Sequence, residues 1–92
     1  MMVVICYDIT DDKRRRRVDR VLSAFGHRVQ YSVFEAELDE KRYLAMVREL
    51  RRVIDEGEDN VRFYRQCLRC RSAIEVLGVG LWPDDGPQLL II

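Results

Sequence analysis

Met2-Val-Val-Ile-Cys-Tyr7 is an unbroken apolar run that stops at Asp8. A short run of β-branched and aromatic residues with no polar alternation fits a central strand buried on both faces. It falls far short of the ~18–20 apolar residues that a bilayer-spanning helix needs, so no membrane is expected. A chain of 92 residues, 48% of them hydrophobic, can build one two-layer core around such a strand. Residues 1–92 are therefore read as a single domain, with a core over about 1–80 and a tail at 81–92. A chain of this size has little room for a self-contained cleft, so a large active site would need a second chain to complete it.

Thr10, Asp11 and Asp12 offer N-cap oxygens, and Val18, Val21, Leu22 and Phe25 recur at helical spacing behind them. The spacing predicts a helix from about Asp12 to Phe25, stopped by Gly26. Arg28 to Leu38 alternates, with Val29, Tyr31 and Val33 on one face and Gln30, Ser32 and Phe34 on the other, the pattern of a strand. Asp39 caps a second helix whose stripe is Tyr43, Val47, Leu50 and Ile54, widened by Met46 and Val53 and ended by Gly57. A further strand runs from Asn60 to about Cys67, and another from Ala73 to Val79. Pro83 and Pro87 bracket a turn-rich tail before Leu89-Leu-Ile-Ile92, a short strand-like terminus suited to a partner's sheet. The expected architecture is α+β, the ferredoxin-like βαββαβ order plus an extra C-terminal strand, with two helices on one face of an antiparallel sheet. The uncovered face predicts a homodimer.

Sixteen basic residues balance sixteen acidic ones, which excludes an indiscriminately basic nucleic-acid coat. The balance is uneven along the chain. It runs +3 over residues 1–34, −4 over 35–60, +4 over 61–71 and −3 over 72–92. The odd set Cys6, Cys67 and Cys70, with no signal-peptide pattern, fits a reducing cytoplasm.

Asp8 follows a run of hydrophobes, so its carboxylate must find a donor, a cation or a cap. One reading has it accept from backbone amides of the following turn. The other is metal binding. Mg²⁺ often takes only one or two carboxylates beside its waters, which a two-fold pair of Asp8 side chains would supply. Lys13-Arg-Arg-Arg-Arg17 and Arg20 place cations where the helix macrodipole prefers anions. They form either a solvated face balanced by Asp11, Asp12 and Asp19 or a phosphate site, for which Arg15, Arg17 and Arg28 are the candidates. Arg62, Arg65, Arg69 and Arg71 surround Phe63 and Tyr64, a block that suits either single-strand binding or core aromatics flanked by solvated arginines. Cys67 and Cys70 have CxxC spacing, yet the chain offers too few further ligands for zinc. His27 follows the helix-ending glycine, where a C-terminal cap is the ordinary role.

Tyr7-Asp-Ile-Thr-Asp11 after an N-terminal strand, an arginine-rich helix, Gly26 and then Arg28-Val-Gln-Tyr-Ser-Val-Phe34 together resemble the CRISPR-associated Cas2 family of spacer acquisition. The resemblance implies a ferredoxin-like homodimer that places the two Asp8 side chains around one Mg²⁺. It also implies nucleic-acid contacts at Arg15, Arg17 and Arg28, with Ser32 and Phe34 near the site. The segment at 88–92 resembles the family's last strand, which packs on the other protomer. Cys67 and Cys70 lie outside the pattern.

The implied activity is a metal-dependent endonuclease, nominally on single-stranded RNA and for some members on duplex DNA. The alternative within the family is a non-catalytic dimer that bridges the adaptation integrase and holds DNA. Two readings of other kinds stand beside these: a toxin-like ribonuclease, and a ligand-binding regulatory module of the same fold.

Overall fold

The computed structural model describes residues 1–66 together with Glu75 and Leu77. The N-terminal run forms β1 (Met2–Asp8), which lies inside a four-stranded antiparallel sheet with a neighbour on each edge. It is followed by α1 (Asp12–Ser23), β2 (His27–Gln30), β3 (Val33–Glu37), α2 (Glu40–Val53) and β4 (Asn60–Gln66). The order along the chain is βαββαβ and the order in the sheet is β2-β3-β1-β4, the ferredoxin-like arrangement. The strand expected at 73–79, the terminal strand at 88–92 and the Cys67–Cys70 pair lie outside the described residues.

Alternation along β1 sorts the molecule into two sides. Val3, Ile5 and Tyr7 face the helices and join Val18, Leu22, Phe34, Ala36, Met46 and Leu50 in one core. Val4, Cys6 and Asp8 point to the other face, with Val33 and Glu35 of β3 and Asn60, Arg62 and Tyr64 of β4 beside them in register. Both helices thus lie on one side of the sheet, as the sequence predicts.

Three local expectations change. The segment expected as one strand from Arg28 to Leu38 is a hairpin, in which β2 and β3 pair antiparallel and Tyr31 and Ser32 make the turn. The register shifts between Arg28 and Gln30, so the simple alternation does not survive. The first helix ends at Ser23 rather than Phe25, and its N-cap is Asp11, whose carboxylate accepts from the Arg14 amide at 2.8 Å. The second helix ends at Val53, before Gly57, with Ile54 already extended.

Gly26 serves close packing. A Cβ there would run into the Glu35 carbonyl oxygen and lie 2.8 Å from Ala36 Cβ and 2.9 Å from Ala36 Cα, so only glycine lets the chain leave α1 flush against β3. His27 is a strand residue, with Nε2 3.8 Å from Glu35 Oε1, and does not cap the helix.

Candidate metal and nucleic-acid site

Asp8 is exposed at the C-terminal end of β1, and no hydrogen bond or ion pair among the described residues engages its carboxylate. The cap role considered for it is taken by Asp11. An open depression of about 380 Å³ lies on the sheet at the Asp8 end of β1, lined by Cys6, Tyr7, Asp8, Asn60, Arg62 and Tyr64. The β1–β4 register builds it: Asp8 stands opposite Asn60, Cys6 opposite Arg62 and Val4 opposite Tyr64. Among the described residues, no group of three or more His, Cys, Asp or Glu side chains within the one chain could hold a metal ion. An exposed carboxylate at a strand end fits one position of a hydrated Mg²⁺, and the described residues of this chain place no second and third ligand of these types beside it.

The residue before Asp8 is fixed by a network running under the hairpin. The Tyr7 amide donates to the Ser32 carbonyl at 3.1 Å, which seats the β2–β3 turn against the end of β1. The Tyr7 hydroxyl donates to Asp19. Burial, and then this bond and the Asp19 charge, push the Tyr7 hydroxyl pKa well above its ordinary range, so it stays a donor. Asp19 also pairs with Arg28 at 2.8 Å, and Arg28 donates to the Tyr31 carbonyl at 2.6 Å. The Arg28 guanidinium lies 5.2 Å from the centre of the Phe34 ring. Phe34 is itself in the core, on the opposite side of the sheet from Asp8, so it supports Arg28 rather than lining the depression.

The cationic helix divides into tied and free members. Arg14 clamps Asp59 at 2.8 Å and Glu58 at 3.0 Å, joining the first turn of α1 to the loop before β4. Its bond, followed by one from the Asp55 amide, holds the Asp59 carboxyl below the usual carboxylate range. Arg15 pairs with Asp12 at 2.7 Å and lies 5.7 Å from the centre of the exposed Tyr31 ring. Lys13, Arg16, Arg17 and Arg20 are exposed, with no ion pair among the described residues. Their spacing of three and four residues puts them on one solvent face.

Of the residues singled out from the sequence, Asp8 faces the depression and Ser32 holds the turn beside it. Arg15 and Arg28 converge on Tyr31, and Arg17 stands on the outer face of α1. Asn60 and Arg62 were not placed with Asp8 by any local pattern. Only the pairing of strands more than fifty residues apart brings them there.

The chain matches the family model for CRISPR associated protein Cas2 over residues 1–74. It is 42% identical over 91 residues to the CRISPR-associated endoribonuclease Cas2 3 of Chloroflexus aurantiacus, covering 99% of this chain and 98% of the relative. The crystal structure of Streptococcus pyogenes Cas2 superimposes with a TM-score of 0.74 at 34% identity, over 85% of this chain and 100% of the other. A chain of a partial Cas6-RT-Cas1–Cas2 complex matches with a TM-score of 0.68 at 30% identity, over 79% of this chain and 86% of that one. Among the described residues no helix is long and apolar enough to cross a membrane. With the βαββαβ sheet, the exposed carboxylate ending β1 and the seated hairpin turn, these matches place the chain in the CRISPR-associated Cas2 family.

Proposed function

We propose that this protein is a Mg²⁺-dependent endoribonuclease of spacer acquisition, acting in the cytoplasm as a homodimer whose two Asp8 carboxylates share one metal ion. The observation that carries the reading is the Asp8 carboxylate itself, which ends a buried strand, is exposed, and has no partner among the described residues. The relatives' names as endoribonucleases support the reaction class. When bound there, Mg²⁺ supplies an activated water and offsets charge developing on phosphorus. The chain's own residues orient the site. Asp8 from each protomer would hold the ion, and the Ser32 carbonyl fixes the backbone of Tyr7. The Tyr7–Asp19–Arg28 network keeps the hairpin turn from shifting. Arg17 and the convergent Arg15 and Arg28 contribute a positive surface toward an RNA or DNA backbone.

The likeness to a chain of a Cas1–Cas2 complex favours a second role, in which the dimer bridges copies of the adaptation integrase. Asp8→Asn in the purified full-length protein separates the two. Mg²⁺-dependent cleavage of single-stranded RNA is expected to vanish while integrase binding persists. Cleavage that survives the substitution would remove Asp8 from the chemistry.

A further inference from the structure

Among the described residues, two aromatic side chains are left largely exposed, Tyr31 at 69% and Tyr64 at 49%. Tyr64 lies on the sheet face that carries Asp8, the face that the proposed homodimer covers. Tyr31 stands elsewhere. It sits in the β2–β3 turn with its ring toward α1, where the Arg15 guanidinium lies 5.7 Å from the ring centre. Both helices pack on the side of the sheet away from Asp8, so pairing two copies through the Asp8 face leaves this ring outside the interface.

Nothing in the turn itself calls for a tyrosine, since tight turns favour glycine, asparagine, aspartate or proline. Burial is the usual reason to keep a large ring, and Tyr31 is not part of the core. The backbone beneath the ring is nevertheless pinned. The Tyr31 carbonyl accepts from Arg28 at 2.6 Å and from the Tyr7 hydroxyl at 3.5 Å, and the Ser32 carbonyl accepts from the Tyr7 amide at 3.1 Å. Tyr7 immediately precedes Asp8, so these bonds fix the base of the ring relative to the end of β1. An exposed ring on a held backbone loses little freedom when a partner covers it.

A flat ring edged by a guanidinium matches an unpaired nucleotide. The base stacks on the ring, and the arginine meets the flanking phosphate. Arg15 spends one terminal nitrogen on Asp12, at 2.7 Å, and a guanidinium has further donors to give. Bases inside a duplex are already stacked on one another, so such a platform selects single strands. Resting on the proposed nuclease reading, we infer that Tyr31 is a substrate-binding residue that stacks on an unpaired base of single-stranded RNA beside the Asp8 site, with Arg15 against the adjoining phosphate.

The test uses the full-length protein as Tyr31→Ala, Tyr31→Leu and Tyr31→Phe, with Leu44→Ala as control, because Leu44 is an exposed apolar residue of α2, 54% accessible. The probes are a single-stranded RNA oligonucleotide and the duplex of the same sequence, with binding read by fluorescence anisotropy without divalent metal. Tyr31→Ala and Tyr31→Leu are expected to weaken single-strand binding about tenfold, whereas Tyr31→Phe stays within about twofold of the parent. All three should keep the parental slope of log affinity against log salt, because the ring carries no charge. Duplex affinity should not change, and Leu44→Ala should match the parent throughout. Tyr31→Leu keeps most of the side-chain bulk should Tyr31→Ala fold poorly, and melting within about 2 °C of the parent qualifies each variant. Single-strand affinity within about twofold of the parent in Tyr31→Ala and Tyr31→Leu, an equal loss on the duplex, or a Tyr31→Phe protein as weak as Tyr31→Ala overturns the inference. Cleavage in Mg²⁺ by the parent and by Asp8→Asn is measured alongside. Parental cleavage that does not need Asp8 overturns the nuclease reading instead, and the affinity series still decides whether Tyr31 stacks on a base.

Discussion

Gly26→Ala places a methyl group where the structure has no room for one. The added carbon would overlap the Glu35 carbonyl oxygen and stand 2.8 Å from Ala36 Cβ and 2.9 Å from Ala36 Cα, against an ordinary carbon–carbon contact of ~3.5–4.0 Å. Two of these three atoms are backbone of β3, which is hydrogen-bonded to strands on both sides and cannot swing aside as a side chain could. Overpacking of this kind costs ~1–3 kcal/mol, and the rigid neighbours put this position in the upper half of that range. At ~4–8 °C per kcal/mol for a domain of this size, a cost of ~2–3 kcal/mol lowers the melting temperature by about 8–24 °C.

Thermal unfolding followed by circular dichroism at fixed protein concentration measures the change. Gly57→Ala is the matched control, since a Cβ there meets only the Asp55 carboxylate oxygen, at 3.3 Å, and should move stability by less than ~1 kcal/mol in either direction. A Gly26→Ala melting temperature within about 4 °C of the parent would refute the close-approach argument. The consequence reaches the site, because β3 continues from the turn that Ser32 seats against β1.

Two predictions concern pH. Arg14 holds Asp59 below its ordinary pKa, so the pair stabilises the fold above the unfolded carboxylate value of ~3.9 and its contribution is lost as pH falls through the lower folded value. The melting deficit of Arg14→Ala should therefore be widest near neutrality and narrow in acid, whereas a deficit independent of pH would contradict the assignment. Glu35 has the opposite sign. Burial raises its pKa, against an opposing pull from His27, so the folded state binds its proton more tightly and loses stability as pH rises past the unfolded value. Glu35→Gln should raise the melting temperature at neutral pH and match the parent in acid, and a variant less stable at pH 7 would show that the carboxylate has a stabilising partner.

The parts of the fold that could be read from the sequence are those where one physical requirement dominates locally. β1 is an unbroken apolar run, and each helix carries a carboxylate cap ahead of an apolar stripe, at Asp11 and Asp39. The β2–β3 hairpin was not legible as two strands. Its turn is Tyr31-Ser32, with none of the glycine, asparagine or proline that marks a tight turn, and the sequence alternation of Val29, Tyr31 and Val33 runs straight through it. Asp8 could be read as a site residue because a carboxylate ending a buried strand is conspicuous without any tertiary knowledge. The arginines could not be sorted that way. What ties Arg14 is 45 residues distant, and what places Arg62 beside Asp8 is the pairing of the first and fourth strands, neither of which leaves a local trace.

The central claim is that two copies of one carboxylate make one site, and mixing subunits tests it most directly. Parent and Asp8→Asn chains, refolded together in equal amounts, form parental, mixed and doubly substituted dimers in statistical proportion. If Asp8 is needed from both protomers, Mg²⁺-dependent RNA cleavage should fall to about one quarter of that of the same total amount of parent. Activity near one half would mean that each chain cleaves with its own Asp8, and would contradict the shared site.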